Sequence, residues 1–179
     1  DARTSYHHHS LGGYHGAKIR RYQDLISSCI DNELQELISN YSSGNTSFAS
    51  YGVLNMLNAK YLLTGSSSTS VVRNSSTLGN AWLVAEVQKV NNPNEELAAL
   101  CEVPTERVAV VDQSKFQLAN QYSDSGKVIL TSYAPNRLEY TAEVAGSSLV
   151  VFSEIYYEKG WKAYIDNQET GIHRVNYIL

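Results

Sequence analysis

Residues 5–25, SYHHHSLGGYHGAKIRRYQDL, hold four of the chain's five histidines, a pair of glycines and three cations. These are the groups from which a metal site or a phosphate cradle is built. On an extended backbone only His7 and His9 of the triplet share a face, so the run supplies two ligands at most, with His15 available through folding. Zinc takes three or four ligands, and no acidic or cysteine partner stands nearby at metal spacing, so no metal site is expected. GGYHGAK also misses the phosphate-loop register GxxxxGK[ST] and carries Ile19 where that loop needs a hydroxyl. The glycines and cations do allow an anion at a helix start, held by backbone N–H groups. The candidate ligand set is Gly13, Tyr14, His15, Lys18 and Arg21. The alternative is that the cations are solvated or pair with neighbours such as Asp24, because cations early in a helix oppose its dipole.

A second group lies near the other end. Glu154, Glu158 and Asp166 accompany Tyr156, Tyr157 and Trp161, the makings of a carboxylate pair on an aromatic platform. Read as a strand, the segment sends Glu154 and Tyr156 to one side and Ile155 and Tyr157 to the other, with Glu158 and Asp166 at turns. The acids then read as solvated, and no catalytic residue is assigned. Tyr156, Tyr157 and Trp161 remain a candidate platform for stacking on a sugar. No GxSxG elbow is present, which leaves a hydrolase triad unsupported, and nothing calls for a cofactor. Cys29 and Cys101 lack CxxC partners; buried thiols are the default expectation, with one disulfide as the alternative in an oxidising compartment. NxS/T sequons occur at Asn40, Asn45 and Asn74 and matter only in a eukaryotic secretory setting.

These groups need elements to position them. From Ala17 to Ser39 the residues Ile19, Leu25, Ile26, Ile30, Leu34, Leu37 and Ile38 recur at helical spacing. A second short helix should turn Phe48, Tyr51, Leu54 and Leu57 inward and lead into a strand at Lys60–Thr64. GSSSTSVVRNSSTLG reads as a loop, and NAWLVAEVQKV as one strand. NNPNEELAALCE has a capping asparagine, an early proline and early acids, and so starts a helix. From Arg107 six strand-length runs follow, parted by turn-forming sequences, with AYIDNQETGIHRV as a hairpin. The expected fold class is α+β: a mixed helix and strand region over 1–106, then an antiparallel, jelly-roll-like β-sandwich over 107–179.

Composition excludes some roles. The net charge of −4 gives no basic face for nucleic acid, and no run approaches the roughly 20 apolar residues of a membrane helix. The chain starts without a methionine and stops within a strand-like alternation, as an excised portion of a longer protein would.

DARTSYHHHSLGGYHGAKIRRYQDLI, NMLNAKYLLTG, LGNAWLVAEVQKVNNPNEELAAL and VVFSEIYYEKGWKAYID together resemble the C-terminal soluble region of the YfhO-like bacterial membrane proteins, particularly those of Bacteroides-type organisms. The similarity extends over nearly the whole chain, and its most specific pieces are GGYHGAKIRRYQDL and SEIYYEKGWKAYID. That family is similar to polyprenyl-phosphate-sugar-dependent glycosyltransferases of the C-type fold. The resemblance implies a non-catalytic extracytoplasmic domain on the periplasmic side of the inner membrane. Its partner would be the membrane-embedded part of its own parent chain, with a lipid-linked sugar or glycan acceptor nearby and an accessory role in cell-surface glycosylation. The family's catalytic acid belongs to a loop between early membrane helices, and no position here matches it. The resemblance also implies a sandwich continuing past Leu179 to a membrane anchor, leaving a sheet edge open to strand pairing. The HHH run departs from the family pattern.

Overall fold

The computed structural model describes residues 9–12, 18–65, 67 and 70–179. The protein is a mixed α+β molecule, and it divides into two compact units between Thr77 and Leu78. The change of texture at Glu106 falls inside the second unit, where strands on either side of it pair with one another.

The first unit is built on a long helical run. Helix α1 (Arg20–Leu25) passes through a π-turn (Ile26–Ile30) into α2 (Asp31–Ser42). At the join the Asp31 N–H reaches back five residues to the Ile26 carbonyl. That extra residue re-phases the apolar stripe, so Leu25, Cys29, Ile30 and Leu37 are buried. Ile38, rotated about 100° from Leu37, is exposed instead, as is Ile19 before the first turn. Helix α3 (Gly52–Met56) follows, and Phe48, Tyr51, Leu54 and Leu57 are buried as their spacing predicts.

Helix α3 has no side-chain cap of its own. Glu33 supplies one from α2: its carboxylate accepts the N–H groups of Val53 at 2.9 Å and Leu54 at 2.8 Å. A buried amide pair closes the far side, where Asn74 Nδ2 donates to Asn55 Oδ1 and to the Ala59 carbonyl. The Asn74 sequon is therefore a structural asparagine, 3% exposed. Strands β1 (Tyr61–Leu63) and β2 (Val71–Arg73) form an antiparallel ribbon. The second of these lies within the stretch expected to be loop, where three apolar or long residues between serine-rich runs suffice for a strand.

In the second unit β3 (Ala81–Val84) pairs antiparallel with β8 (Leu149–Phe152), while β4 (Glu86–Val90) pairs in parallel with β5 (Val108–Asp112). Residues 80–90 are thus two strands and not the one expected. The break is local: the N–H groups of Ala85 and Glu86 both donate to the Arg107 carbonyl, at 2.9 and 3.1 Å, which turns the chain from one partner to the next. The parallel pair departs from the antiparallel sandwich expected over 107–179, because β5 takes its partner from before Glu106, and it needs a crossover. Helix α4 (Pro93–Leu100) provides it, with the Asn92 side chain accepting the Glu95 N–H at 3.0 Å and Pro93 in the first turn. Strand β5 is buried from Ala109 to Asp112, as a strand covered on both faces should be.

Two hairpins complete the unit. Strands β6 (Gly126–Ala134) and β7 (Arg137–Val144) pair with a bulge between Leu130 and Ser132, and β6 packs against β3. Strands β9 (Ala163–Ile165) and β10 (Gln168–Thr170) are joined by Asp166 and Asn167, both at positive φ, the two-residue turn that suits strand twist. The last apolar run does not extend into a strand. Asn176 and Tyr177 take φ of 50° and 67°, and Val175 and Leu179 exchange two backbone hydrogen bonds, so the segment curls into the core. Asn176 anchors it, accepting the Val110 N–H through Oδ1 and donating its own N–H to the Val110 carbonyl, both at 2.8 Å. The default expectation of buried thiols is also corrected: neither Cys29 nor Cys101 is a free thiol.

Candidate functional site

The helix start comes first. Gly13, Tyr14 and His15 lie outside the described residues, as do His7 and His8. Lys18 is exposed just before α1 and Arg21 is half-buried in its first turn. The Tyr22 hydroxyl donates to the Leu11 carbonyl at 2.7 Å, tying the preceding segment to the helix, and burial raises its phenol pKa. The N–H groups of Tyr22 and Gln23 both go to the Ile19 carbonyl. His9 is exposed, and among the described residues no three metal-ligating side chains gather.

The aromatic group is assembled differently from the strand reading. Strand β8 ends at Phe152, so Tyr156 and Tyr157 are released from alternation and both border one hollow of about 130 Å³ with Trp161. A tight turn makes this possible. The N–H groups of Gly160 and Trp161 donate to the Tyr157 carbonyl at 2.9 and 3.1 Å, and Trp161 Nε1 donates to the Ile155 carbonyl at 3.1 Å. Glycine at position 160 lets the Tyr157 ring lie where it does, because a Cβ there would press on that ring. Tyr156 meets Phe116 edge to face and gives its N–H to the Ile178 carbonyl, so it is fixed, whereas Tyr157 is 60% exposed. Glu158, Lys162 and Glu169 complete the rim, with Lys162 and Glu169 3.8 Å apart.

The three carboxylates keep separate surroundings. Glu158 is on that rim and Asp166 is in the β9–β10 turn. Glu154 is half-buried, and burial raises its carboxyl pKa. Tyr140 has its phenol pushed up to about 12, first by burial and then by the negative charge of Glu154.

Two features escaped sequence reasoning. An open groove of about 890 Å³ runs along β4, bordered by Glu86, Lys89, Glu102, Pro104 and Asn120. It is made from a strand edge and two loops that are distant in sequence. Glu96, which reads as an ordinary first-turn helix acid, is fully buried. Its carboxylate accepts the Tyr177 N–H at 3.2 Å and Arg174 Nη2 at 3.4 Å, and Arg174 lies over the Phe116 ring. Chemically the two acids hold chain segments together: half-buried Glu33 caps a helix, and buried Glu96 binds the curled segment. No family model matches the chain, and neither does any curated protein or solved structure.

Proposed function

We propose that this chain is the extracytoplasmic domain of a YfhO-like multi-pass bacterial membrane protein of the glycosyltransferase type. In this reading it sits on the periplasmic face of the inner membrane, performs no catalysis, and shapes access of a lipid-linked donor or glycan acceptor to the membrane-embedded part of its parent chain. The second unit is then the base of a jelly-roll-like sandwich, with β6–β7 laid against β3. The helix start, through Gly13, Tyr14, His15, Lys18 and Arg21, is the contact for a donor phosphate.

One observation carries the extracytoplasmic reading: neither cysteine is a free thiol. Disulfides persist in the periplasm and outside the cell and are rare in the reducing cytosol. Among the described residues no helix is long and apolar enough to cross a membrane, so in this reading the spanning part lies elsewhere in the parent. Immunoblotting of fractionated cells tests the proposal. A band well above 20 kDa in the inner-membrane fraction, unlabelled by maleimide under denaturing conditions, is expected. A soluble cytosolic band with both cysteines labelled overturns it. In the full-length protein, Lys18→Ala and Arg21→Ala should lower glycan transfer; normal transfer in both removes the donor contact.

A second reading, a carbohydrate-binding module, is favoured by the hollow that gathers Tyr156, Tyr157 and Trp161. Its volume lies below the usual range of enclosed ligand pockets, which suits one ring stacked at a surface better than an engulfed ligand. Titration with neutral sugars should move the Trp161 indole resonance under this reading and leave it unmoved under the first.

A further inference from the structure

None of the 18 acidic residues falls between Leu37 and Ala85, and the charges in that stretch are Lys60 and Arg73 alone. The β1–β2 ribbon lies within it. Its register sets Tyr61 opposite Arg73 and Leu63 opposite Val71, so these four share one face, while Leu62 and Val72 are half-buried on the other. The shared face is open: Tyr61 is 63% exposed, Leu63 48% and Val71 44%. A ribbon with one covered face ordinarily turns polar residues to water on the other. Here the outward face is apolar, with Arg73 on it and exposed Lys60 beside it.

We propose that this ribbon face docks on an anionic lipid surface. Leu63 and Val71 would enter the boundary between head groups and acyl chains, and Tyr61 would sit at the head-group level, where its ring is apolar and its hydroxyl stays wet. Lys60 and Arg73 would meet the lipid phosphates. The chain as a whole is negative and would be repelled by such a surface. No acid stands in the ribbon or anywhere from Leu37 to Ala85, so the docking segment itself brings only positive charge to the lipid phosphates. Charge therefore selects an anionic bilayer among apolar occupants. The inference rests on the ribbon itself and does not need the family resemblance.

Sedimentation with sucrose-loaded vesicles tests it. The chain should pellet with phosphatidylcholine–phosphatidylglycerol vesicles and stay in solution with phosphatidylcholine alone. Replacing both cations, Lys60→Gln and Arg73→Gln, should weaken partitioning about fivefold for each charge removed. Tyr61→Ser with Leu63→Ser should release the chain. The glutamine variant alters only exposed charges, so it decides the matter if the serine variant loses its circular dichroism. Failure to pellet with anionic vesicles, equal pelleting on neutral ones, or undiminished pelleting of the glutamine variant overturns the proposal.

Discussion

The carboxylate of Glu33 accepts the backbone N–H of Leu54 at 2.8 Å, across 21 residues of chain. With the matching bond to Val53 it does for α3 what a capping residue at Tyr51 does not. Glu33→Ala should therefore cost about 1–3 kcal/mol, since two first-turn amides lose a charged acceptor. Burial raises the Glu33 carboxyl above its ordinary 4.5, although the two amide bonds and the nearby charge of Glu36 act as well, the amides downward and Glu36 upward. The folded state then holds the proton more tightly than the unfolded one. Its linkage contribution is full below the unfolded value and is lost as pH rises through the raised one. Urea unfolding of the wild type and Glu33→Gln between pH 4 and pH 7 should show a smaller loss of stability with rising pH in the variant.

Asn176 serves Val110 twice, through its side-chain oxygen and its backbone N–H, while its own φ is 50°. Asn176→Ala orphans a buried amide and places Cβ in the left-handed region without asparagine's tolerance for it. The expected loss is about 2–4 kcal/mol. Asn176→Gly loses the same side-chain bond but adopts the conformation freely, so it should be less destabilised by about 1 kcal/mol. Equal losses in the two variants would assign the whole effect to the hydrogen bond.

What could be read from sequence was local. Asn92, Pro93 and Glu95 lie within four residues, and their types alone predict the start of α4 that the structure shows. The hairpin expected in AYIDNQETGIHRV likewise forms, although its second strand is Gln168–Thr170 and not the IHRV run. What could not be read depends on a partner far along the chain. Residues 80–90 look like one strand until Arg107, more than twenty residues later, takes the N–H groups of both Ala85 and Glu86. The run IHRVNYIL has the apolar alternation of a strand, yet its buried residues belong to a turn fixed by Val110 and Glu96. Tyr156, Tyr157 and Trp161, legible as a group, do border one hollow; strand alternation puts Tyr156 and Tyr157 on opposite sides only if it runs past Phe152, where the pairing with β3 has already stopped.

Gly160 controls the shape of that hollow. A Cβ there would press on the edge of the Tyr157 ring, which is exposed enough to swing away. Gly160→Ala should therefore change stability by less than about 1 kcal/mol while shifting the Tyr157 ring and the Trp161 emission beside it. If neutral sugars bind the hollow, the same variant should weaken them while thermal unfolding stays nearly unchanged. A large fall in melting temperature would instead show that the turn supports the unit.

Tyr140 offers a test at alkaline pH. Its hydroxyl is buried and has no hydrogen-bond partner among the described residues, and its ring packs edge to face on Phe152 at 4.9 Å. Burial, and then the charge of Glu154, lift its phenol from 10.0 to about 12. The neutral form is thus favoured by folding: this contribution is complete below pH 10 and is lost as pH rises through about 12. Tyr140→Phe removes an unsatisfied hydroxyl and keeps the ring contact. At pH 7 it should be neutral or more stable by up to about 1 kcal/mol. Across pH 10–12 its melting temperature should fall less steeply than that of the wild type. Parallel curves for the two proteins would mean that the phenol is solvated, and that Glu154 does not hold it neutral.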